Sequence, residues 1–349
     1  MRIIIDVMSG DKAPLEILLG VDLASKQDFA KDVEFTLVGD ETVIKALAAE
    51  YGIDLSRYEV KHTDVVLTME DEPMAIMREK KNSSLGLALR TLAAGEGDAL
   101  VSAGNTGALF SGSSLIVKRV AGIQRAGIGA ILPLANPVML IDSGASVKPN
   151  EEYMTGFAVM GNAYMKAVYG VETPRVALLN NGTEEHKGTE LQQAAYARLA
   201  KSTLFNFTGN VEGNSLVLGD CDVAVTDGFT GNVSLKSIEG MGKLLSGELK
   251  AMFGGSLSGI LAYLLIKKKL KAFRKRFDAK EHGGAPILGL NKTVIKAHGS
   301  SDAKAFSNAV RQAINCVKLN VVDIIAKEAE KLNAERLAVQ AAAEEGSAE

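Results

Sequence analysis

Short apolar runs rich in β-branched residues alternate along this chain with longer segments in which apolar residues recur every three or four positions. The first kind of run predicts buried strands, and the second predicts helices that pack one face against a sheet. Strands are predicted at residues 2–7, 34–38, 58–62, 99–102, 128–132, 138–142, 175–179 and 222–226, with one or two more within 287–297. Helices are predicted at residues 14–24, 41–50, 73–80, 83–94, 106–120, 151–168, 190–200, 232–253 and 302–333.

This alternation determines the predicted fold class. Strands that alternate with helices pair in parallel through right-handed crossovers, so we expect an α/β protein with a mostly parallel sheet covered by helices. No fixed-period repeat or low-complexity linker interrupts the pattern, which favours a single bilobed unit over residues 1–333 with an excursion at 254–280. Residues 334–349 are rich in Ala and Glu without an apolar period, and we expect this tail to fray.

Composition narrows the class and the location of the protein. Aromatic residues make up only 5% of the chain and Trp is absent, so the core depends on aliphatic residues, as in parallel sheets. Cys221 and Cys316 have no CxxC partner, and the chain reaches Asp6 too early for a signal peptide, so we expect a cytoplasmic protein. The longest uncharged apolar stretch, residues 126–141, is shorter than the roughly 20 residues that a spanning helix needs. A net charge of -3 gives no indication of a nucleic-acid partner.

The sharpest chemical signal is a glycine-containing turn between a predicted strand and a predicted helix. The unpaired N–H groups of a helix start, its positive dipole end and two hydroxyls together form an anion site. An ordinary helix cap with glycines that ease the turn explains the same letters about equally well. The residues of this turn are Ser102, Gly104, Asn105, Thr106 and Gly107.

A second turn of the same design follows the strand at 222–226, and its residues are Asp227, Gly228, Thr230, Gly231 and Asn232. Ligands of parallel sheets bind at the carboxyl ends of strands, so we expect the two turns to face one cleft. Neither turn is a GxGxxG or Walker sequence, which argues against dinucleotides and nucleoside triphosphates and favours a small anion.

Other strand ends carry polar residues that could join this cleft: Asp6, Asp142, and His186 with Lys187 in the loop after residue 179. Lys187 could pair with a phosphate or with a developing oxyanion, or it could be a solvated lysine beside Glu184 and Glu185. The histidines lack metal-ligand spacing and no nucleophile elbow is present, so we expect no metal and no cofactor. An enzyme without its own nucleophile suits direct attack by a bound phosphate.

Five motifs in order resemble one family. They lie at residues 1–14, 101–108 (VSAGNTGA), 184–188 (EEHKG), 206–213 (NFTGNVEG) and 227–233 (DGFTGNV). Together they are similar to the bacterial acyl-acyl carrier protein:phosphate acyltransferases of phospholipid synthesis, over residues 1–322. Ser9 stands where that family usually has Gly, and Ser146 where it usually has Asn.

The resemblance implies a three-layer α/β/α fold of the isocitrate/isopropylmalate dehydrogenase type, shared with phosphotransacetylases, and a homodimer. It implies that inorganic phosphate and an acyl carrier protein thioester are the substrates and that acyl phosphate is the product. Phosphate would then occupy the Ser102–Gly107 turn, and Lys187, Thr230 and Asn232 would orient it or stabilise the oxyanion. Three alternatives are a short-chain phosphotransacetylase that uses acyl-CoA, a metal- and NAD-dependent decarboxylating dehydrogenase, and a non-catalytic membrane scaffold.

The excursion at 254–280 combines an apolar segment with seven positive charges in the ten residues 267–276. On a helix, the apolar side chains step by three and four and leave most of the basic ones on the other side, as in helices that lie on anionic membranes. Docking of an acidic carrier protein and a dimer interface with a solvated charged face are the other two interpretations. The contact residues would be Leu261, Leu265, Lys267, Lys268, Lys269, Lys271 and Arg274.

Overall fold

The structure is a computed structural model that describes residues 1–132, 134, 136–254, 257–276 and 283–346. Within these residues the strands are β1 (Arg2–Asp6), β2 (Glu34–Gly39), β3 (Tyr58–His62), β4 (Ala99–Ser102), β5 (Gly127–Leu132), β6 (Val138–Ile141), β7 (Arg175–Leu179), β8 (Asn206–Val211), β9 (Val223–Val225), β10 (Ala285–Leu288) and β11 (Thr293–Lys296). The helices are α1 (Leu15–Ser25), α2 (Glu41–Tyr51), α3 (Ser84–Ala93), α4 (Thr106–Gly112), α5 (Glu151–Tyr169), α6 (Glu190–Leu199), α7 (Gly213–Leu218), α8 (Gly228–Gly254), α9 (Leu257–Arg276), α10 (Ala303–Lys318) and α11 (Val321–Gly346).

The strands form one sheet in the order β3-β2-β1-β4-β11-β10-β5-β6-β9-β7-β8. The five strands from β3 to β11 are parallel to one another, and so are the four from β6 to β8. Between the two blocks, β10 is antiparallel to β11 and to β5, and β5 is antiparallel to β6. The sheet is therefore mostly parallel, as expected, but its two parallel blocks run in opposite directions.

The side chains of each strand divide between two helical layers because successive residues of a strand point to opposite faces. In β1, Ile3 and Ile5 pack on the side of α1 and α10, whereas Ile4 packs on the side of α3 and α4. In the second block, Met139 belongs to the layer of α5 and α11, and Leu140 lies on the side of α8. These two layers around the sheet confirm the predicted three-layer α/β/α architecture.

Two of the predicted long helices are interrupted. The predicted helix at 302–333 is two helices, because α10 ends before Asn320, which takes a left-handed conformation with φ of 50° that asparagine tolerates. The predicted helix at 106–120 is α4 followed by a π-helical turn over Ser113–Val117, and it stops at Lys118 with φ of 67°. Strand β8 and the short α7 were not predicted, since β8 contains the glycine and asparagine residues that usually mark loops.

Helices α8 and α9 pack against each other, and the rings of Phe253 and Tyr263 lie 6.3 Å apart. Leu265 is 86% exposed while Leu270 is buried, so the apolar residues of α9 divide between the fold and the surface. Lys267, Lys268, Lys269 and Lys271 are exposed. The side chain of Arg274, and residues 277–280 of the predicted excursion, lie outside the described residues. Over the described part of the chain, no helix has both the length and the apolar character that crossing a bilayer requires.

Candidate active site

The turn after β4 rests on a buried carboxylate. Oγ of Ser102 donates a 2.7 Å hydrogen bond to Oδ2 of Asp6 and accepts one of 3.1 Å from the N–H of Gly104. Oγ of Ser84 donates to the other oxygen of Asp6 at 2.7 Å. Burial raises the pKa of Asp6 above its usual value, and the hydrogen bonds from these hydroxyls oppose that shift. Asp6 therefore fixes the start of the turn.

The glycines of this turn allow other segments to approach closely. A β-carbon at Gly104 would lie 2.8 Å from Cβ of Ser9, and one at Gly107 would lie 2.8 Å from Cγ of Pro73. Asn105 caps α4, because its Oδ1 accepts from the N–H of Ala108 at 3.0 Å. Its amide group donates to the carbonyl groups of residues 69 and 71. The cap interpretation is thus correct for the side chain of Asn105.

The backbone of the same turn remains available to a ligand. The N–H groups of Asn105, Thr106 and Gly107 have no acceptor among the residues that the structure describes. They are successive N–H groups at the positive end of a helix, an arrangement that binds anions. The side chain of Asn105 is thus a helix cap, and anion binding by the backbone of this turn stays a prediction.

The turn after β9 differs in this respect. The N–H groups of Phe229 and Thr230 donate to Oδ1 of Asp227 at 3.0 and 2.9 Å, and the N–H of Gly231 donates to the carbonyl of Asp227 at 2.9 Å. The N–H of Gly228 donates to the carbonyl of Ser146 at 2.8 Å. Asp227 is a helix cap, and the first turn of α8 leaves none of these four N–H groups for an anion. Phosphate or substrate binding by Asp227, Gly228 and Gly231 stays a prediction, and it cannot use these four N–H groups while they keep their present acceptors.

Asp142 organises the loop against which the start of α8 packs. Its carboxylate accepts hydrogen bonds from the N–H groups of Ile128, Gly144, Ala145 and Ser146, at distances from 2.6 to 3.3 Å. Burial raises the pKa of Asp142, and these N–H groups oppose the shift. A carboxylate that accepts so many bonds from its own loop is a structural centre and not an open ligand.

Two predicted polar groups lie on the surface of α8. Asn232 is exposed, and its Nδ2 would lie 3.3 Å from a β-carbon built on Gly144. Thr230 is half-buried in the first turn of α8. The side chains of Thr230 and Asn232 remain able to contact a substrate, whereas the N–H groups of the first turn of α8 already have acceptors within the protein.

Lys187 lies in the loop after β7, a strand of the same block as β9. Nδ2 of Asn180 donates to the carbonyl of Lys187 at 3.1 Å, and the aliphatic part of Lys187 passes over Gly182, whose β-carbon would lie 2.9 Å from its Cγ. The lysine is half-buried, and the neighbouring His186 is exposed. The loop therefore holds the backbone of Lys187, and the role of its ammonium group stays a prediction.

The turn after β4 and the polar residues after β9 and β7 follow strands that run in opposite directions. The sheet therefore does not bring them to one edge, as had been expected from a parallel sheet. Helix α8 connects the two regions. Lys236 lies on this helix eight residues after Gly228, and its Nζ is 3.4 Å from Nε2 of His298. Eight helical residues span about 12 Å. His298 follows β11, whose carboxyl end lies beside that of β4. Residues from both blocks therefore line the surface along α8.

Lys296 is a residue of the site that the sequence interpretation missed. It is the register partner of Ser102, and its Nζ donates to the carbonyls of Ala103 at 3.2 Å and Ala297 at 2.6 Å. Burial lowers its pKa to about 8, and the charges of Asp11 and Asp6 oppose that shift. The available signal was a lysine that ends a β-branched run two residues before a histidine.

His298 was considered in the sequence only as a metal ligand. Its Nδ1 lies 2.9 Å from Oγ of Ser300, and burial together with Lys236 lowers its pKa. In the described residues no three His, Cys, Asp or Glu side chains converge as metal ligands do. The site at the first turn thus combines free N–H groups, a buried ammonium group and a histidine.

Comparison with known proteins identifies the family. A family model described as "Fatty acid synthesis protein" matches residues 1–324. A phosphate acyltransferase of Bacillus licheniformis is 43% identical, over 93% of this chain and 97% of its own length. One of Clostridium acetobutylicum is 40% identical, over 95% of this chain and 100% of its own length. The chain belongs to the phosphate acyltransferase family. The resemblance of the five motifs is thereby confirmed, and the chain is an enzyme of that family.

Solved structures show which fold this phosphate acyltransferase sequence shares with other enzymes. EutD phosphotransacetylase from Staphylococcus aureus superposes with a TM-score of 0.57 at 16% identity, over 91% of this chain and 94% of that one. A 4-hydroxythreonine-4-phosphate dehydrogenase from Klebsiella pneumoniae superposes with a TM-score of 0.53 at 11% identity, over 90% of this chain and 99% of that one. These likenesses confirm the fold class expected for the phosphate acyltransferase family.

Proposed function

We propose that the protein transfers a fatty acyl group from an acyl carrier protein thioester to inorganic phosphate, and that the acyl phosphate serves phospholipid synthesis. Family membership supports the reaction class. The observation that carries the assignment of the phosphate site is the set of three N–H groups of Asn105, Thr106 and Gly107 without an acceptor in the described chain. Lys296, behind the same turn, supplies a buried positive charge.

In this proposal the phosphate oxygens accept hydrogen bonds from the three N–H groups, with the hydroxyl of Thr106 beside them. One phosphate oxygen attacks the thioester carbonyl and forms the new C–O bond. The C–S bond then breaks, and the thiolate leaves with the electron pair and takes up a proton from water. A thiolate is a good leaving group, so the protein contributes positioning and charge stabilisation and needs no strong general acid.

The oxyanion of the tetrahedral intermediate needs its own hydrogen-bond donors. We assign this role to Lys187 and Asn232, with Thr230 as an orienting group. The exposed amide of Asn232 and the loop that holds Lys187 support the assignment. His186 is a weaker candidate, since its exposed ring and its backbone contact to Gln193 give it no held position. Asp6 and Asp142 act through the turns that they organise.

Short-chain phosphotransacetylase activity on acyl-CoA is the second candidate, and the fold of the solved neighbours favours it. The two candidates differ in the use of the α8–α9 helix pair. Leu261, Leu264 and Leu265 are exposed there, directly before a run of exposed lysines. A long acyl chain on an acidic carrier gives such a surface a purpose, whereas a short acyl-CoA does not.

We also propose that this surface makes peripheral contact with anionic membranes, and that a homodimer forms through exposed apolar residues of α8. Met241, Leu244 and Leu245 are each more than half exposed, which supports a partner for this helix. The two strand blocks would act as one bilobed catalytic unit over residues 1–333.

The deciding assay incubates the protein with long-chain acyl carrier protein thioester and phosphate, and measures free thiol and acyl phosphate. We expect thiol release that depends on phosphate and is slower with short acyl-CoA. Lys187→Ala and Asn232→Ala should lower kcat by about 100-fold, in the range of a lost oxyanion donor, without a change in thermal stability. Thr183→Ala, an exposed change in the same loop as Lys187, is the control. Thiol release independent of phosphate would overturn the proposal.

A further inference from the structure

A second cleft lies where the start of α5 meets the end of α6 and the later part of α11. It opens to solvent and is lined by the loop before β5 as well. Gly156 on α5 faces it, and a β-carbon there would meet nothing within 4 Å. The cleft is therefore open to a ligand that approaches from solvent.

Three guanidinium groups line this cleft, those of Arg125, Arg198 and Arg336, with Glu152 as the acidic residue among the lining side chains. Arg198 lies 3.3 Å and Arg336 lies 3.9 Å from the same oxygen, Oε1 of Glu152. Glu152 thus pairs with Arg198 and Arg336, while Arg125 has no acidic partner among the residues that line the cleft. The lining carries a net charge of about +2 at neutral pH, because arginine remains protonated.

Arg336 has hydrogen-bonding capacity left over. Its Nη2 donates to Oδ1 of Asn333, yet its Nε is buried and has no partner among the described residues. A buried donor without an acceptor costs roughly 1–3 kcal/mol, so natural structures seldom keep one that nothing fills. An acceptor from outside the chain reaches this donor only when the Arg336 side chain moves toward the cleft.

Helix α11 is held in place where it supplies this arginine. Glu335 accepts hydrogen bonds from Oγ of Ser202 at 3.0 Å and from the N–H of Thr203 at 3.1 Å. The family model ends at residue 324, so Asn333, Glu335 and Arg336 belong to a segment beyond it. This segment therefore does more than extend the helix, because it closes one side of a positively charged cleft.

Arg125 connects the cleft with the Asp142 loop and with α4. Its Nε donates to Oγ of Ser146 in the loop of Asp142 at 2.8 Å, and its guanidinium lies 5.1 Å from the ring centroid of Phe110 on α4. The hydroxyl that it contacts belongs to the serine found where the family usually has asparagine. These two contacts orient the guanidinium group of Arg125, which lines the cleft.

We propose that this cleft is a second binding site, separate from the phosphate substrate site, for a small soluble phosphate monoester. Such a ligand is close to a dianion at neutral pH and matches the charge of the lining. Its three terminal oxygens are the acceptors that planar guanidinium groups bind in pairs. Arg198 and Arg336 would hold the phosphate group, and Nε of Arg336 would gain its acceptor.

The test is isothermal titration of the full-length protein with phenyl phosphate at constant ionic strength. We expect saturable binding that falls at least tenfold in the Arg198→Gln, Arg336→Gln double variant. Lys331→Gln is the matched control, because Lys331 lies on α11, is exposed, and pairs with Glu328 outside the cleft. Equal affinity in the double variant and the unaltered protein would overturn the proposal, as would the absence of saturable binding.

Two further measurements keep the result interpretable. Arg198→Lys with Arg336→Lys retains the charge next to Glu152 but loses the planar donors, so it should fold normally and bind with intermediate affinity. Phosphate-dependent thiol release should persist in the double glutamine variant, since neither arginine belongs to the catalytic turns. Loss of phenyl phosphate binding with thiol release intact separates this site from the proposed function. Loss of both in a folded variant would show that the ligand occupies the substrate site, and would reject the second site.

Discussion

A β-carbon added to Gly231 would lie 2.0 Å from the carbonyl oxygen of Asp142. The start of α8 therefore packs directly against the loop that the Asp142 carboxylate organises. Gly228 shows the same closeness, with a β-carbon position 2.7 Å from the backbone nitrogen of Ser146. The glycines of this turn serve helix packing, which explains why they resemble an anion loop in sequence without offering N–H groups to an anion.

Gly231→Ala should consequently destabilise the protein by about 3 kcal/mol or more, because a backbone carbonyl cannot move aside as a flexible side chain can. Urea denaturation measures the effect. Gly240→Ala is the control on the same helix, since a β-carbon there meets nothing within 4 Å. Alanine in an exposed helix interior should stabilise by roughly 0.5–1 kcal/mol relative to glycine. Equal midpoints for the two variants would contradict the packing argument.

The free N–H groups of the turn after β4 can be tested by a substitution that removes one of them. Thr106 is the first residue of α4, where proline is tolerated, and Asn105 before it has ψ of 121°, which suits a residue before proline. Thr106→Pro should remove one phosphate donor and retain the helix. A hydrogen bond to a charged group contributes about 1.5–3 kcal/mol, so kcat/KM for phosphate should fall by about tenfold or more.

Thr106→Ala separates the contributions of the two groups at this position, because it removes the hydroxyl and keeps the N–H. It should have a smaller effect on kcat/KM for phosphate than the proline variant, and thermal melting should show both variants folded. A proline variant that is folded and has an unchanged KM for phosphate would show that this N–H does not bind substrate.

Much of the fold follows from the sequence, because its signals are local. The predicted strands at 58–62, 99–102 and 175–179 agree with β3, β4 and β7 to the residue. Strand order and direction depend on contacts far apart in the chain. The pattern of apolar residues does not distinguish β10, antiparallel to both neighbours, from a parallel strand. The opposite directions of the two blocks were therefore missed.

The candidate site also follows from the sequence only in part. The turns at Ser102 and Asp227 have nearly the same sequence design, yet only the structure shows which N–H groups already have acceptors. Lys296 escaped notice because its burial and its contact with Ala103 arise from pairing of β11 with β4, almost 200 residues apart. Sequence identifies groups able to do chemistry, whereas burial and free hydrogen-bonding capacity depend on the packed fold.

The basic run of α9 gives a prediction about membrane contact. Lys267, Lys268 and Lys269 are exposed next to the apolar surface at Leu265. Each basic residue near an anionic membrane contributes about 1 kcal/mol, so changing all three to Glu should lower vesicle binding by more than 100-fold. Sedimentation with vesicles that contain phosphatidylserine measures it.

A variant with the same charge change elsewhere controls for net charge. Lys12, Lys31 and Lys201 are exposed and lie outside the α8–α9 helix pair, so their replacement by Glu should leave most vesicle binding intact. Equal loss of binding in both triple variants would attribute the effect to net charge. Retained binding in the α9 variant would reject the electrostatic contact.

Lys296 predicts how phosphate binding depends on pH. With its pKa lowered to about 8, the ammonium group is charged below that pH and neutral above it. Its positive charge lies behind the phosphate turn, so we expect KM for phosphate to rise as the pH increases through 8. The charge of phosphate itself changes little above that pH, and kcat should change less than KM because the lysine acts on binding.

Lys296→Arg decides whether this amine is responsible. Arginine keeps its proton throughout the range, so the variant should lose the rise in KM above pH 8 even if its KM is higher at every pH. Lys296→Met should show a high KM that is independent of pH, because it lacks the charge at any pH. A rise in KM that persists in both variants would assign the titration to another group.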